Sequence, residues 1–194
     1  VNDPSILLAD EPTGNLDAAT GAAIIALLFD RASAAGAGLL VITHDPAIAA
    51  YAESDAFCYR AEPDEPLAPK QAEVWDPWLD WARGRYDVSF QIVHGVLHQP
   101  QPEATLEKLR AAVMARGTFE LAAMAKLVHL AGSLIAVLAI VEQAGDAQSL
   151  WEATCLEELW QEQNWGEDYW AQKNRADREA EFLAAAHFLK LLHA

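Results

Sequence analysis

Basic residues are scarce in this chain. Thirteen Lys and Arg stand against 29 Asp and Glu, which gives a formal net charge of -16 and a pI near 4.6. So acidic a surface repels phosphate backbones, so no nucleic-acid partner is expected. A solvated surface that keeps the protein dispersed is the plainer reading of the charge, ahead of a specific basic partner. Cysteine is nearly absent too. Cys58 and Cys155 show no CxxC spacing and no accompanying His pattern, which excludes a zinc site of the usual kind. Both lie among apolar neighbours, where a free Cys acts as a small hydrophobe, and a reducing compartment fits.

Long apolar runs are missing as well. The most apolar stretch, Leu121 to Val141, is interrupted by Lys126 and His129. Its charge-free part from Leu130 to Val141 spans about a dozen residues, short of the roughly 20 that cross a bilayer. It reads as a buried helix, and no membrane span is expected. Val1-Asn2-Asp3-Pro4 carries no basic n-region, so no signal peptide is expected. There is no initiator Met, and the chain is expected to begin mid-gene. Trp is missing before Trp75, and all seven lie from that position on. Six acidic residues and one Arg lie in residues 1–50, against 23 acidic and 12 basic residues afterwards. With 53 % hydrophobic and 22 % charged residues, most of the chain should fold.

The first fifty residues read as strand, helix, strand. Ile6 to Asp10 is a short apolar run ending in a carboxylate, Pro12 to Asn15 is turn chemistry, and Asn15 or Asp17 can cap a helix through Ile24, Ile25, Leu27, Leu28 and Phe29. Gly36 and Gly38 stop that helix, and Leu39 to Thr43 is a second buried strand. Such a βαβ unit pairs its strands in parallel. His44-Asp45-Pro46 then opens another helix. Beyond residue 60 the chain reads as mainly helical: Leu67 to Arg85, about Glu103 to Ala115, Phe119 to Ala144 with Gly132 inside it, Ala147 to Gln163, and Tyr169 to Leu192. Trp75, Trp78 and Trp81, three apart on one face of the first of these, read as core. Val88, Phe90 and Ile92 alternate with polar residues and predict a short strand to Val93. His94, His98, His129, His187 and His193 are too scattered for a metal site.

Three motifs in the first part occur in order and at consistent spacing: Asp10-Glu11-Pro12 after an apolar strand, Gly14-Asn15-Leu16-Asp17, and Thr43-His44-Asp45. Two acids after a strand are commonplace, but the set of three is specific. Together they resemble the C-terminal part of an ABC-transporter ATPase of the lipoprotein-export or macrolide-efflux type. That resemblance implies that Asp10 held the magnesium of ATP, Glu11 acted as general base, Asp17 belonged to the D-loop, and His44 was the switch histidine. The pattern departs from the family in one decisive respect. No GxxxxGKS or GxxxxGKT occurs anywhere, and the Q-loop and signature motif are missing, so these roles are vestigial. No ATPase activity and no cofactor are expected; ATP and magnesium would require a complete ABC domain.

A second resemblance covers residues 51–194. Tyr51-Ala52-Glu53-Ser54-Asp55-Ala56-Phe57-Cys58-Tyr59-Arg60, Trp75-Asp76-Pro77-Trp78-Leu79-Asp80-Trp81, the Leu127 to Leu138 stretch, and Gln163-Asn164-Trp165-Gly166-Glu167-Asp168 resemble the ATP synthase assembly chaperone for the alpha subunit. Only that family's helical domain has a counterpart here; its β-rich N-terminal domain does not. The resemblance implies a chaperone rather than an enzyme, with the free alpha subunit as partner. It implies a cytoplasmic location in a bacterium, and the mitochondrial matrix for the eukaryotic relatives. Trp165 with Glu167 and Asp168 is the candidate partner site, since a ring supplies buried area and an acid supplies orientation. The competing reading puts Trp165 in the core and the two acids at the cap of the last helix.

The expected fold is therefore mainly α, a helical chaperone domain with a short strand at 51–194, preceded at 1–50 by a small, loosely attached βαβ remnant of a P-loop NTPase. The boundary is expected within Ala47 to Glu53. Two other readings stand beside the chaperone: an ATP-driven transporter subunit, and a join of two gene fragments with no selected function.

Overall fold

The computed structural model describes residues 6–10, 38–42 and 46–193. Strand β1 (Ile6–Asp10) pairs in parallel with β2 (Gly38–Ile42), with Ile6 opposite Gly38 and Asp10 opposite Ile42. Asp10 thus ends its strand as the sequence suggests. The expected intervening helix, and Glu11, Asp17 and His44, lie outside the described residues.

The rest of the described chain contains eight α-helices: α1 (Pro46–Ala50), α2 (Leu67–Tyr86), α3 (Glu103–Met114), α4 (Thr118–Ala131), α5 (Leu134–Val141), α6 (Ala147–Thr154), α7 (Leu156–Trp165) and α8 (Tyr169–Leu192). All eight residues of α5, Leu-Ile-Ala-Val-Leu-Ala-Ile-Val, are buried. A helix apolar on every side can only be a core axis, and α2, α4, α6, α8 and the turn at Tyr51–Ser54 pack around it. The long helix α8 lies along α4, where Lys126 pairs with Glu181 and His193 Nε2 approaches Glu120 at 3.1 Å. It also covers α6, where Trp151 and Phe182 meet with ring centroids 5.1 Å apart.

The expected helix from Phe119 to Ala144 is two helices. Gly132, placed inside a helix by the sequence reading, instead ends α4 with φ +65°, a conformation that favours glycine. Ser133 then caps α5, its Oγ accepting from Ala136 N at 3.1 Å. The expected helix from Ala147 to Gln163 likewise breaks at Cys155.

The expected strand from Val88 to Val93 shrinks to β4 (Val93–His94), which pairs in parallel with β3 (Tyr59–Arg60). The alternation itself holds: Val88, Phe90 and Ile92 pack on the core while Ser89 and Gln91 face solvent. What replaces the neighbouring strand is a pair of side chains. Thr105 Oγ1 donates to Ser89 O at 2.7 Å and accepts from Ser89 N at 3.2 Å. Gln101 does the same for Gln91 through Nε2 and Oε1, at 2.8 and 2.9 Å. Backbone groups need partners, and here α3 and the loop before it supply them.

Candidate partner-binding site

The corner between α7 and α8 carries the aromatic and acidic residues singled out in the sequence. Helix α7 ends at Trp165, and Gly166 turns the chain with φ +95°. Asp168 caps α8, its Oδ1 accepting from Ala171 N at 2.8 Å, which satisfies one of the free N–H groups of the first turn. Two clamps hold the helices together behind the corner. Glu162 on α7 takes hydrogen bonds from Gln172 and Arg175 on α8, and these hold its carboxyl below the usual range. Glu158 takes Arg178 Nη2 on both oxygens at 2.7 Å. The corner is therefore a braced turn.

On this frame the large rings point outward. Trp165 is 78 % exposed, Tyr169 67 % and Trp170 72 %. Tyr169 and Trp170 meet edge to face with centroids 5.3 Å apart, and Lys173 Nζ lies 5.9 Å from the Trp170 ring centroid. Glu167 is exposed and takes no hydrogen bond or ion pair among the described residues. Asp168 is a helix cap, and Trp165 stands outside the core. Several large apolar side chains on one surface element mark an interaction surface more often than scattered single ones do. The sequence does not single out Tyr169 and Trp170 as site residues; the available signal is two adjacent rings in the first turn of a helix that runs on, after Ala171, through Gln172, Lys173, Asn174 and Arg175.

Other titratable groups serve the fold. Glu142 takes hydrogen bonds from Arg85, Tyr86 (2.8 Å) and Arg116. Burial pushes its carboxyl up, but those three donors outweigh it and hold the group below its ordinary range. Cys58 and Cys155 are buried and free, and burial pushes both thiols up, Cys155 to about 11, so neither is a thiolate at neutral pH. Among the described residues no three His, Cys, Asp or Glu gather where they could hold a metal, and no helix is long and apolar enough to cross a membrane.

A family model described as the ATP12 chaperone protein matches residues 42–83. The crystal structure of Atp12 from Paracoccus denitrificans superposes with a TM-score of 0.72 at 34 % identity, covering 86 % of this chain and 66 % of that one. A D202K mutant of the same bacterium's Atp12p gives the same score and identity, covering 88 % and 69 %. Atu1473 from Agrobacterium tumefaciens gives 0.71 at 34 % identity, covering 75 % and 55 %. These matches place the helical architecture firmly. Among curated proteins, the lipoprotein-releasing system ATP-binding protein LolD of Shewanella oneidensis is 50 % identical over 50 residues, and that of Rhodopirellula baltica 47 % over 60. The chain spans 22 % of the length of each.

Proposed function

The chain belongs to the ATP12 chaperone family, and from that premise we propose that it is an assembly chaperone of ATP synthase that holds the free alpha subunit at the α7–α8 corner. The observation that carries the reading is the outward-facing set of Trp165, Tyr169 and Trp170 on a braced turn with the unpaired Glu167. A client that will later bury apolar surface against a neighbouring subunit needs that surface covered meanwhile. Rigid rings cover area at low entropic cost, and the acid fixes orientation.

Co-expression with an ATP synthase alpha subunit tests this. The chain is expected to retain alpha on an affinity matrix. The double variant Trp165→Ala with Glu167→Lys should lose roughly tenfold or more of that retention with an unchanged circular-dichroism spectrum and melting temperature, since each removes an exposed contact of hot-spot type. Asp168 is left in place, because losing a cap costs the fold about 1 kcal/mol by itself. A wild-type chain that leaves alpha in the flow-through sinks the proposal.

The first fifty residues are best understood as derived from an ABC ATPase, on the strength of their motifs and of the local LolD-type identity. The parallel β1–β2 pair ending at Asp10 fits that origin. A working ATPase is the less favoured reading, because the matches that span most of the chain are to Atp12 structures. Purified chain with magnesium and ATP is expected to release phosphate no faster than its Glu11→Gln variant. Magnesium-dependent turnover that this variant loses would restore the transporter reading.

A further inference from the structure

The α7–α8 corner has a preference built into its charges. Glu167 stands exposed beside three exposed rings with no cation of its own. The second oxygen of Asp168 has no partner among the described residues, since Oδ1 serves the cap. A purely apolar partner lying across this corner would strip water from Glu167 and leave it unpaired, which costs more than the covered area returns. An acidic partner would add repulsion, in a protein already at -16. Only a partner that brings a positive charge along with its apolar surface meets both demands. One of the rings already shows how a cation sits there. Lys173, one turn along α8, lays its ammonium 5.9 Å from the Trp170 ring centroid, and it has no ion pair among the described residues. A ring face attracts a cation through its quadrupole, weakly in water and more strongly once water is excluded.

We infer that the corner recognises a Lys or Arg side chain set beside apolar residues on a protein client, and that Lys173 is a resident stand-in on Trp170 that the client's cation displaces. This rests on the corner being the client site proposed above, and it adds the chemistry of the segment the corner selects. The cationic segment would be steered inward by the net negative charge and seated by the rings, with Glu167 as its counter-ion.

Three synthetic peptides test it, identical apolar segments with one central Arg, Gln or Glu, titrated into the full chain by calorimetry at low and at high salt. The Arg peptide is expected to bind roughly fivefold more tightly than the Gln peptide, the Glu peptide least, and the Arg advantage should shrink at high salt. Glu167→Gln should abolish most of the Arg preference. Lys173→Ala should tighten the Arg peptide by about threefold, because the ring face is vacated; a Lys173 that merely decorates α8 would leave that affinity unchanged. Equal affinity for the three peptides, no binding of any, or an Arg affinity that falls in Lys173→Ala overturns the inference. If alpha is retained while the peptides are not discriminated, the cation preference fails alone. If Arg is preferred but alpha is not retained, the client assignment fails and the corner's chemistry stands.

Discussion

Trp75→Ala is expected to lower the unfolding free energy by about 3–5 kcal/mol, a large share of what a single domain has. Trp75 is 2 % exposed and ties three parts of the fold together. Its ring stacks on Phe57 from the turn after α1, with centroids 5.5 Å apart and planes at 22°. Arg60 covers it, with Cζ 5.1 Å from the centroid, and Nε1 donates to Ala153 O on α6 at 2.7 Å. Arg60 is itself buried to 4 % side-chain exposure, and its guanidinium depends on this surface together with Asp76 at 2.7 Å and Phe57 O at 3.0 Å. Removing the indole thus leaves a cavity beside a buried cation. Trp75→Phe should cost less, since it keeps most of the stacking area and loses the Nε1 hydrogen bond, a matter of about 1 kcal/mol beyond the volume change. Urea unfolding followed by helical circular dichroism measures both. An alanine variant with a midpoint close to wild type would mean that this stack does not join the elements as described.

Trp75 also marks what was legible in the sequence. Its helical spacing with Trp78 and Trp81 announced a core face, and the three rings are buried or packed against the core. The apolar composition of Leu134 to Val141 announced its burial. The break before it was harder to read, because the apolar run continues across it; the signal was Gly132-Ser133, a left-handed stop followed by a cap, which is visible only once periodicity is set aside. Val88 to Val93 had the right period and the wrong partner, since no local pattern says that Thr105 and Gln101 will occupy the backbone groups a strand would take. At the corner, Glu167 and Asp168 drew notice by type, yet the outward turn of Trp165 goes with Gly166 and with clamps whose partners stand 10 and 13 positions apart in the chain. The burial of Asp55 left no trace. Its second partner is 80 positions distant, and an acid in a turn ordinarily faces water.

The stability of this protein is expected to fall as pH rises from about 4 to about 6, and Asp55 is the cause. The residue is fully buried and bridges two segments: Oδ1 accepts from Phe57 N and Oδ2 from Ile135 N, each at 3.0 Å, the latter in the first turn of α5. Burial pushes its carboxyl up from 3.8 to about 6, outweighing the hydrogen bonds from Ile135, Ser133, Phe57 and Leu134, which pull it down. The charged and titratable neighbours do not offset this. Cys58 stays a neutral thiol, and Arg60 is engaged with Asp76. A raised carboxyl means that the native state holds a proton the unfolded chain has released, so the stabilisation is complete below the unfolded value and is lost as pH climbs through the folded one. Two units correspond to roughly 3 kcal/mol. Glu142, Asp87, Asp146 and Glu162 are shifted the other way, and their contributions disappear only on further acidification, which places the stability maximum near the acidic end of the Asp55 window. Asp55→Asn separates these effects. Its amide can accept one of the two N–H groups but not both, so it should be less stable than wild type at about pH 4 by about 1–3 kcal/mol. That deficit should narrow or reverse by about pH 7, where the wild-type carboxylate is ionised in a dry site. Denaturant midpoints measured across that range decide the matter, and a deficit that does not change with pH would mean that the buried acid is ionised throughout.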